Sequence, residues 1–101
     1  MREFLARALG SSGYLVFTAS DEVEGLFQFG LEQPDLVILE ASYGRTLAQM
    51  RALSSVPIIA LAEDDSSFGV ESLNRGADFY VGRPPRIGEL QAKIRASARR
   101  L

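Results

Sequence analysis

Glu40 and Arg83 are the two residues of this chain best placed to do chemistry together. Glu40 closes the run Pro34-Asp35-Leu36-Val37-Ile38-Leu39-Glu40, and Arg83 follows Tyr80-Val81-Gly82 and precedes Pro84. A guanidinium grips a carboxylate with two parallel N–H donors, so one reading of these two residues, at neighbouring strand ends, is a permanent ion pair, and the other is two unpaired side chains. Glu63, Asp64 and Asp65 are contiguous carboxylates. They read either as cation ligands or as solvated groups at the positive end of a helix. Arg95, Arg99 and Arg100 read either as nucleic-acid contacts or as complements to a helix C-terminus. The chain has no Cys and no His. That excludes Cys-ligated zinc, disulfides, a Cys nucleophile and any His relay or phosphohistidine. No glycine-rich phosphate loop or nucleophile–base pair is present, so no enzyme and no cofactor is expected.

The elements that position these groups follow from the hydrophobic pattern. The 101 residues are 47% hydrophobic, which suits one domain with one core. A net charge of −2 gives no argument for nucleic acid or membrane. No apolar run approaches the roughly 20 residues that span a bilayer. Glu3 interrupts the N-terminus and no signal-type apolar region follows, so a cytoplasmic location is expected.

Residues 2–10 read as a short helix with Phe4, Leu5, Ala8 and Leu9 on one side, ended by Gly10-Ser11-Ser12-Gly13. Tyr14 to Thr18 is β-branched and aromatic and reads as a strand. Ser20 is the expected N-cap of a helix whose buried face is Val23, Leu26, Phe27, Gly30 and Leu31. Leu36 to Leu39 reads as a strand covered on both faces. A helix over 46–53 turns Leu47, Met50 and Leu53 inward, and Val56 to Ala62 is a second apolar strand. Phe68, Val70 and Leu73 give the next helix a weaker apolar face, and Gly76 suits its C′ position. Phe79-Tyr80-Val81 is a short strand, and Ile87, Leu90, Ile94 and Ala98 mark a final helix. The alternation predicts an α/β parallel sheet with helices on both faces, four strands and five helices. Its functional edge is at the strand carboxyl ends.

Three segments in order carry a resemblance: Pro34-Asp35-Leu36-Val37-Ile38-Leu39, Val56-Pro57-Ile58-Ile59-Ala60-Leu61, and Gly76-Ala77-Asp78-Phe79-Tyr80 with Gly82-Arg83-Pro84. Together they resemble the receiver domains of response regulators, the CheY-like superfamily. The end, Glu89 to Ala96, resembles the last receiver helix of the OmpR/PhoB-type transcription regulators. The resemblance implies a flavodoxin/CheY-like fold and a phosphorylation switch, but the switch positions depart from the family. Glu40 stands for the phospho-accepting aspartate, Ala62 for the Thr or Ser that senses the phosphoryl group, and Arg83 for the lysine. The first strand, with its Mg²⁺-holding acidic pair, has no counterpart, and the stretch between Glu40 and Val56 is shorter than usual. Without that strand the sheet must close up, borrow from another chain, or belong to a longer native protein.

The expected function is therefore a phosphorylation-independent receiver-like module for dimerisation or protein interaction. The alternatives are a truncated phospho-accepting receiver of a DNA-binding regulator and a small ligand-binding α/β domain. Glu40 reads as a built-in phosphomimic or as drift at an unused site. Tyr80 matches the family's switch aromatic, or is an ordinary half-buried edge tyrosine. The resemblance implies a two-fold homodimer through the fourth helix, fifth strand and fifth helix of the family, involving Arg75, Asp78, Lys93 and Arg95, with Phe79 in place of a second aspartate and so a more apolar surface. It implies other signalling proteins as partners, no membrane, and DNA only through a domain outside this chain.

Overall fold

The computed structural model describes residues 2–63 and 67–98. Asp64, Asp65, Arg99 and Arg100, singled out above, lie outside the described residues. The chain divides into two units, residues 1–33 and 34–101.

The first unit holds α1 (Arg2–Ser11) and α2 (Glu22–Glu32). Leu5 and Leu9, four residues apart, are the buried residues of α1, whereas Phe4 is exposed. The cap of α2 is Asp21 and not Ser20. The Asp21 carboxylate accepts from the Glu24 backbone N–H at 2.8 Å, while Glu24 Oε2 accepts from both the N–H (3.0 Å) and the hydroxyl (2.7 Å) of Ser20. This reciprocal arrangement satisfies orphan donors at the helix start. The expected inward face of α2 is corrected by the structure. Val23, Phe27 and Leu31 are exposed, no residue of α2 is buried, and the half-covered side is Gly25, Leu26 and Phe29.

Tyr14 to Thr18 is not a strand, so the sheet has three strands and not four. A run of β-branched and aromatic residues favours a pleated, half-buried surface only where a neighbour supplies one. This segment has no ladder partner among the described residues, and Leu15 is 83% exposed.

The second unit builds the sheet. Strands β1 (Val37–Glu40), β2 (Ile58–Ala62) and β3 (Phe79–Gly82) alternate with α3 (Gly44–Leu53), α4 (Phe68–Asn74) and α5 (Ile87–Ala98). The order is β1-β2-β3 and both pairings are parallel. Central β2 is buried along its whole length, the expected state of an apolar run paired on both sides. Edge strand β1 is only half-buried. Side chains alternate across a strand, so Phe79 and Tyr80 face opposite sides of the sheet. Tyr80 lies against Gly69 of α4, and Phe79 lies under Lys93 of α5, which puts α4 and α5 on opposite faces.

The core of this unit is Leu47, Met50, Ile58, Ile59, Ala60, Leu61, Val81, Leu90 and Ile94. Four residues expected inward are exposed instead, among them Phe68 at the start of α4. Leu53 sits in the last turn of α3, and Val70 and Leu73 of α4 point away while Gly69 and Ser72 are buried. With only two turns, α4 approaches the sheet through its small residues. Gly76 ends α4 as expected, at φ +119. Its N–H reaches the Leu73 carbonyl at 3.2 Å and the Ala77 N–H reaches that of Ser72 at 2.9 Å. This pair of bonds closes a Schellman turn.

Candidate functional site

The three strands end side by side, since Glu40 is in register with Leu61 and Ala62 with Gly82. Parallel pairing therefore brings Glu40, Ala62 and Arg83 to one edge although they are far apart in sequence. Arg83 Nη1 donates to Glu40 Oε2 at 2.6 Å. Its Nη2 lies 3.8 Å from Glu63 Oε1. The hydrogen bond to Glu40, and then the charge of Glu40, push the Arg83 pKa above its ordinary value. The guanidinium thus stays charged at every accessible pH. Ala62 is buried and offers only a methyl group beside this pair.

Chemically the edge is one guanidinium shared by two carboxylates, Glu40 closely and Glu63 at longer range. A carboxylate nucleophile needs a free oxygen and a positive clamp for the incoming group. Here Arg83 holds one Glu40 oxygen, Oε2. The resemblance implies Mg²⁺ at this edge. A hard cation wants several oxygen ligands, yet Glu40 and Glu63 both face Arg83. Among the described residues no group of three carboxylate, His or Cys side chains can hold a metal. The described residues do not fit the ion.

Tyr80 is exposed, and its ring rests on the α4 backbone. A Cβ at Gly69 would meet Tyr80 Cε2 at 2.7 Å. Of the residues expected at a dimer surface, Lys93 and Phe79 are together, with Lys93 Nζ 5.1 Å from the Phe79 ring centre, a cation–π contact. Arg95 is exposed on α5. Arg75 caps the C-terminus of α4, and its side chain lies across Gly44. Asp78 sits in a different network. Its Oδ2 accepts from Arg51 Nη2 and from the Ile58 backbone N–H, each at 2.8 Å. Arg51 also donates to the carbonyls of Gly76, Ser54 and Val56. Sequence reading missed Arg51. Its one signal was a basic residue in the last turn of α3, a place where it complements the helix end.

The chain is similar along nearly its whole length to several curated transcription regulators. It is 37% identical over 106 residues to the KDP operon transcriptional regulatory protein KdpE of Escherichia coli, covering 99% of this chain and 47% of that protein. It is 42% identical over 107 residues to the probable transcriptional regulator ycf27 of Guillardia theta, covering 99% of this chain and 42% of that one. It is 37% identical over 107 residues to the response regulator MprA of Mycobacterium leprae, covering 99% of this chain and 47% of MprA. The chain belongs to the receiver domains of response regulators.

This receiver spans about half the length of the curated relatives it matches. No family model matches it. Among solved structures, it superposes on the receiver domain of the Francisella response regulator 1452 with a TM-score of 0.87 at 24% identity, over 98% of this chain and 88% of that one. A two-component response regulator from Clostridium difficile gives a TM-score of 0.88 at 24% identity, over 97% and 86% of the two chains. These likenesses establish the CheY-like fold. Among the described residues, no helix of the receiver is long and apolar enough to cross a membrane.

Proposed function

We propose that this receiver works in two-component or transcriptional signalling as a static interaction module that accepts no phosphoryl group. The 2.6 Å bond between Arg83 and Glu40 carries this reading. Phosphoryl transfer depends on positioning and on neutralising the equatorial oxygens. With Arg83 held by Glu40 and a methyl group at Ala62, neither service is on offer. The pair then stands where a phosphorylated receiver would have its acceptor and lysine, and ties the end of β1 to the segment after β3. The displayed surface is α4–β3–α5, with Phe79 under Lys93, and with Arg95 and Tyr80 exposed. A two-fold dimer through this face, or a signalling partner bound to it, is the output. Any DNA contact belongs to a domain outside this sequence.

The test is incubation with acetyl phosphate and Mg²⁺, read by intact mass. The unmodified mass is expected. A phosphoryl adduct mapped to Glu40 would establish the phospho-accepting alternative instead. Light scattering across a dilution series checks the dimer: it is expected to persist at low micromolar concentration and to be split by Arg95→Glu.

A further inference from the structure

The outer side of α2 is unusual for a helix of so small a domain. Val23, Phe27 and Leu31 are 81%, 67% and 63% exposed. They recur at i, i+4 and i+8, so they form one stripe about 12 Å long, spread over roughly 80° of the helix. Leu26 and Phe29, on the other side, are half-covered, so the stripe is not the inward face of α2. Single exposed apolar residues are ordinary, but three large ones in helical register mark an interaction site.

The charges around the stripe select its occupant. Asp21, Glu22, Glu24 and Glu32 flank it, and residues 21–33 contain no Lys or Arg. Arg2 of α1 is the basic group whose charge reaches Glu24. A second copy of the chain is a poor fit. An antiparallel two-fold pairing sets Glu32 of one copy against Asp21, Glu22 and Glu24 of the other, and parallel pairing stacks the acidic first turns together. An anionic lipid surface is repelled for the same reason. An amphipathic helix with apolar anchors and basic flanks satisfies both features, since the apolar stripe supplies burial and the acidic ends supply register and steering.

We propose that the Val23–Phe27–Leu31 stripe of α2 is a docking strip for a basic amphipathic helix of another protein. It lies in the first unit and does not rest on the phosphorylation-independent reading.

The probes are two fluorescein-labelled helical peptides of about 18 residues with the same leucine stripe. One carries lysines and the other glutamates, and each is titrated with the full chain and followed by anisotropy. The lysine peptide is expected to bind and the glutamate peptide to fail. Phe27→Ser and Leu31→Ser should each weaken binding about tenfold or more. Leu53→Ser removes a still more exposed leucine from α3 and should leave it unchanged. Raising the salt from 50 to 500 mM should weaken binding by about tenfold. Equal binding of both peptides, or equal losses in the Phe27 and Leu53 variants, would overturn the proposal. A wild-type dimer dissolved by Phe27→Ser would assign the stripe to a second copy. Vesicle cosedimentation lost in the same variant would assign it to lipid.

Discussion

Asp78 Oδ2 receives two donors at 2.8 Å, the Arg51 guanidinium and the Ile58 backbone N–H. The Asp78 N–H in turn reaches the Ile58 carbonyl at 2.8 Å. One residue therefore fixes the start of β2 beside the start of β3, and Arg51 ties both to the end of α3. The Arg83–Glu40 pair does the same at the opposite edge, so the sheet is fastened at both ends of its strands. Both Asp78 and Arg51 side chains keep 25% exposure, which makes this network part of the domain's own packing.

Asp78→Ala leaves the buried Ile58 N–H without its carboxylate and Arg51 without its anion. A loss of about 2 kcal/mol is expected, the usual penalty for stranding a buried donor. Urea unfolding measures it. Asp78→Asn, which keeps one acceptor, should recover part of the loss. Dimerisation measured in a variant that stays folded separates this structural role from a surface one.

Gly76→Ala meets two obstacles. The backbone sits at φ +119, which L side chains rarely adopt, and the new Cβ would lie 2.7 Å from Arg51 Cγ. Strain of this kind costs about 2 kcal/mol, and the clash pushes Arg51 off its carbonyls. The expected result is a lower thermal midpoint, with Arg51→Ala in the same chain removing the Cγ and Nε contacts but leaving the Cβ at 3.0 Å, and so relieving only part of the clash.

Gly69→Ala tests the seat of Tyr80. The added methyl group cannot coexist with the ring in its present place, and overpacking of this kind costs about 1–3 kcal/mol. The near-ultraviolet circular dichroism of tyrosine should change. Gly69→Ala combined with Tyr80→Ala should be closer in stability to Tyr80→Ala alone than the sum of the two single effects. Additive losses would show that the ring and the glycine act independently.

Acid should loosen the start of α2. The Ser20 hydroxyl and backbone N–H, both bonded to Glu24, lower its pKa below the ordinary 4.5, with a smaller contribution from Arg2. A carboxyl with a depressed folded-state pKa stabilises the fold above the unfolded value. That contribution is lost as the pH falls through the folded value. Hydrogen exchange of the Ser20 amide should therefore accelerate, beyond its intrinsic pH trend, below about pH 4.5. Glu24→Gln should flatten this response.

The order of elements was legible in the chain because helix and strand periods differ and Gly and Pro punctuate them. The five helices, the three apolar strands and the turn at Gly76 came from local pattern alone. The pattern also put Glu40 and Arg83 at strand ends, but the bond between them depends on the parallel pairing that delivers those ends to one edge. Tyr14 to Thr18 carries the same local signal as a strand, yet a strand exists only with a neighbour. Likewise, the periodicity of α2 shows that apolar residues recur but not which side is covered, and the pattern alone misplaced Val23, Phe27 and Leu31. Arg51 with Asp78, and Gly69 with Tyr80, join residues 27 and 11 positions apart through a three-dimensional approach that has no sequence period. Local sequence determined what each segment is. Tertiary structure decided which groups share a hydrogen bond or a surface, because those contacts depend on how segments pack and not on the order in which they are joined.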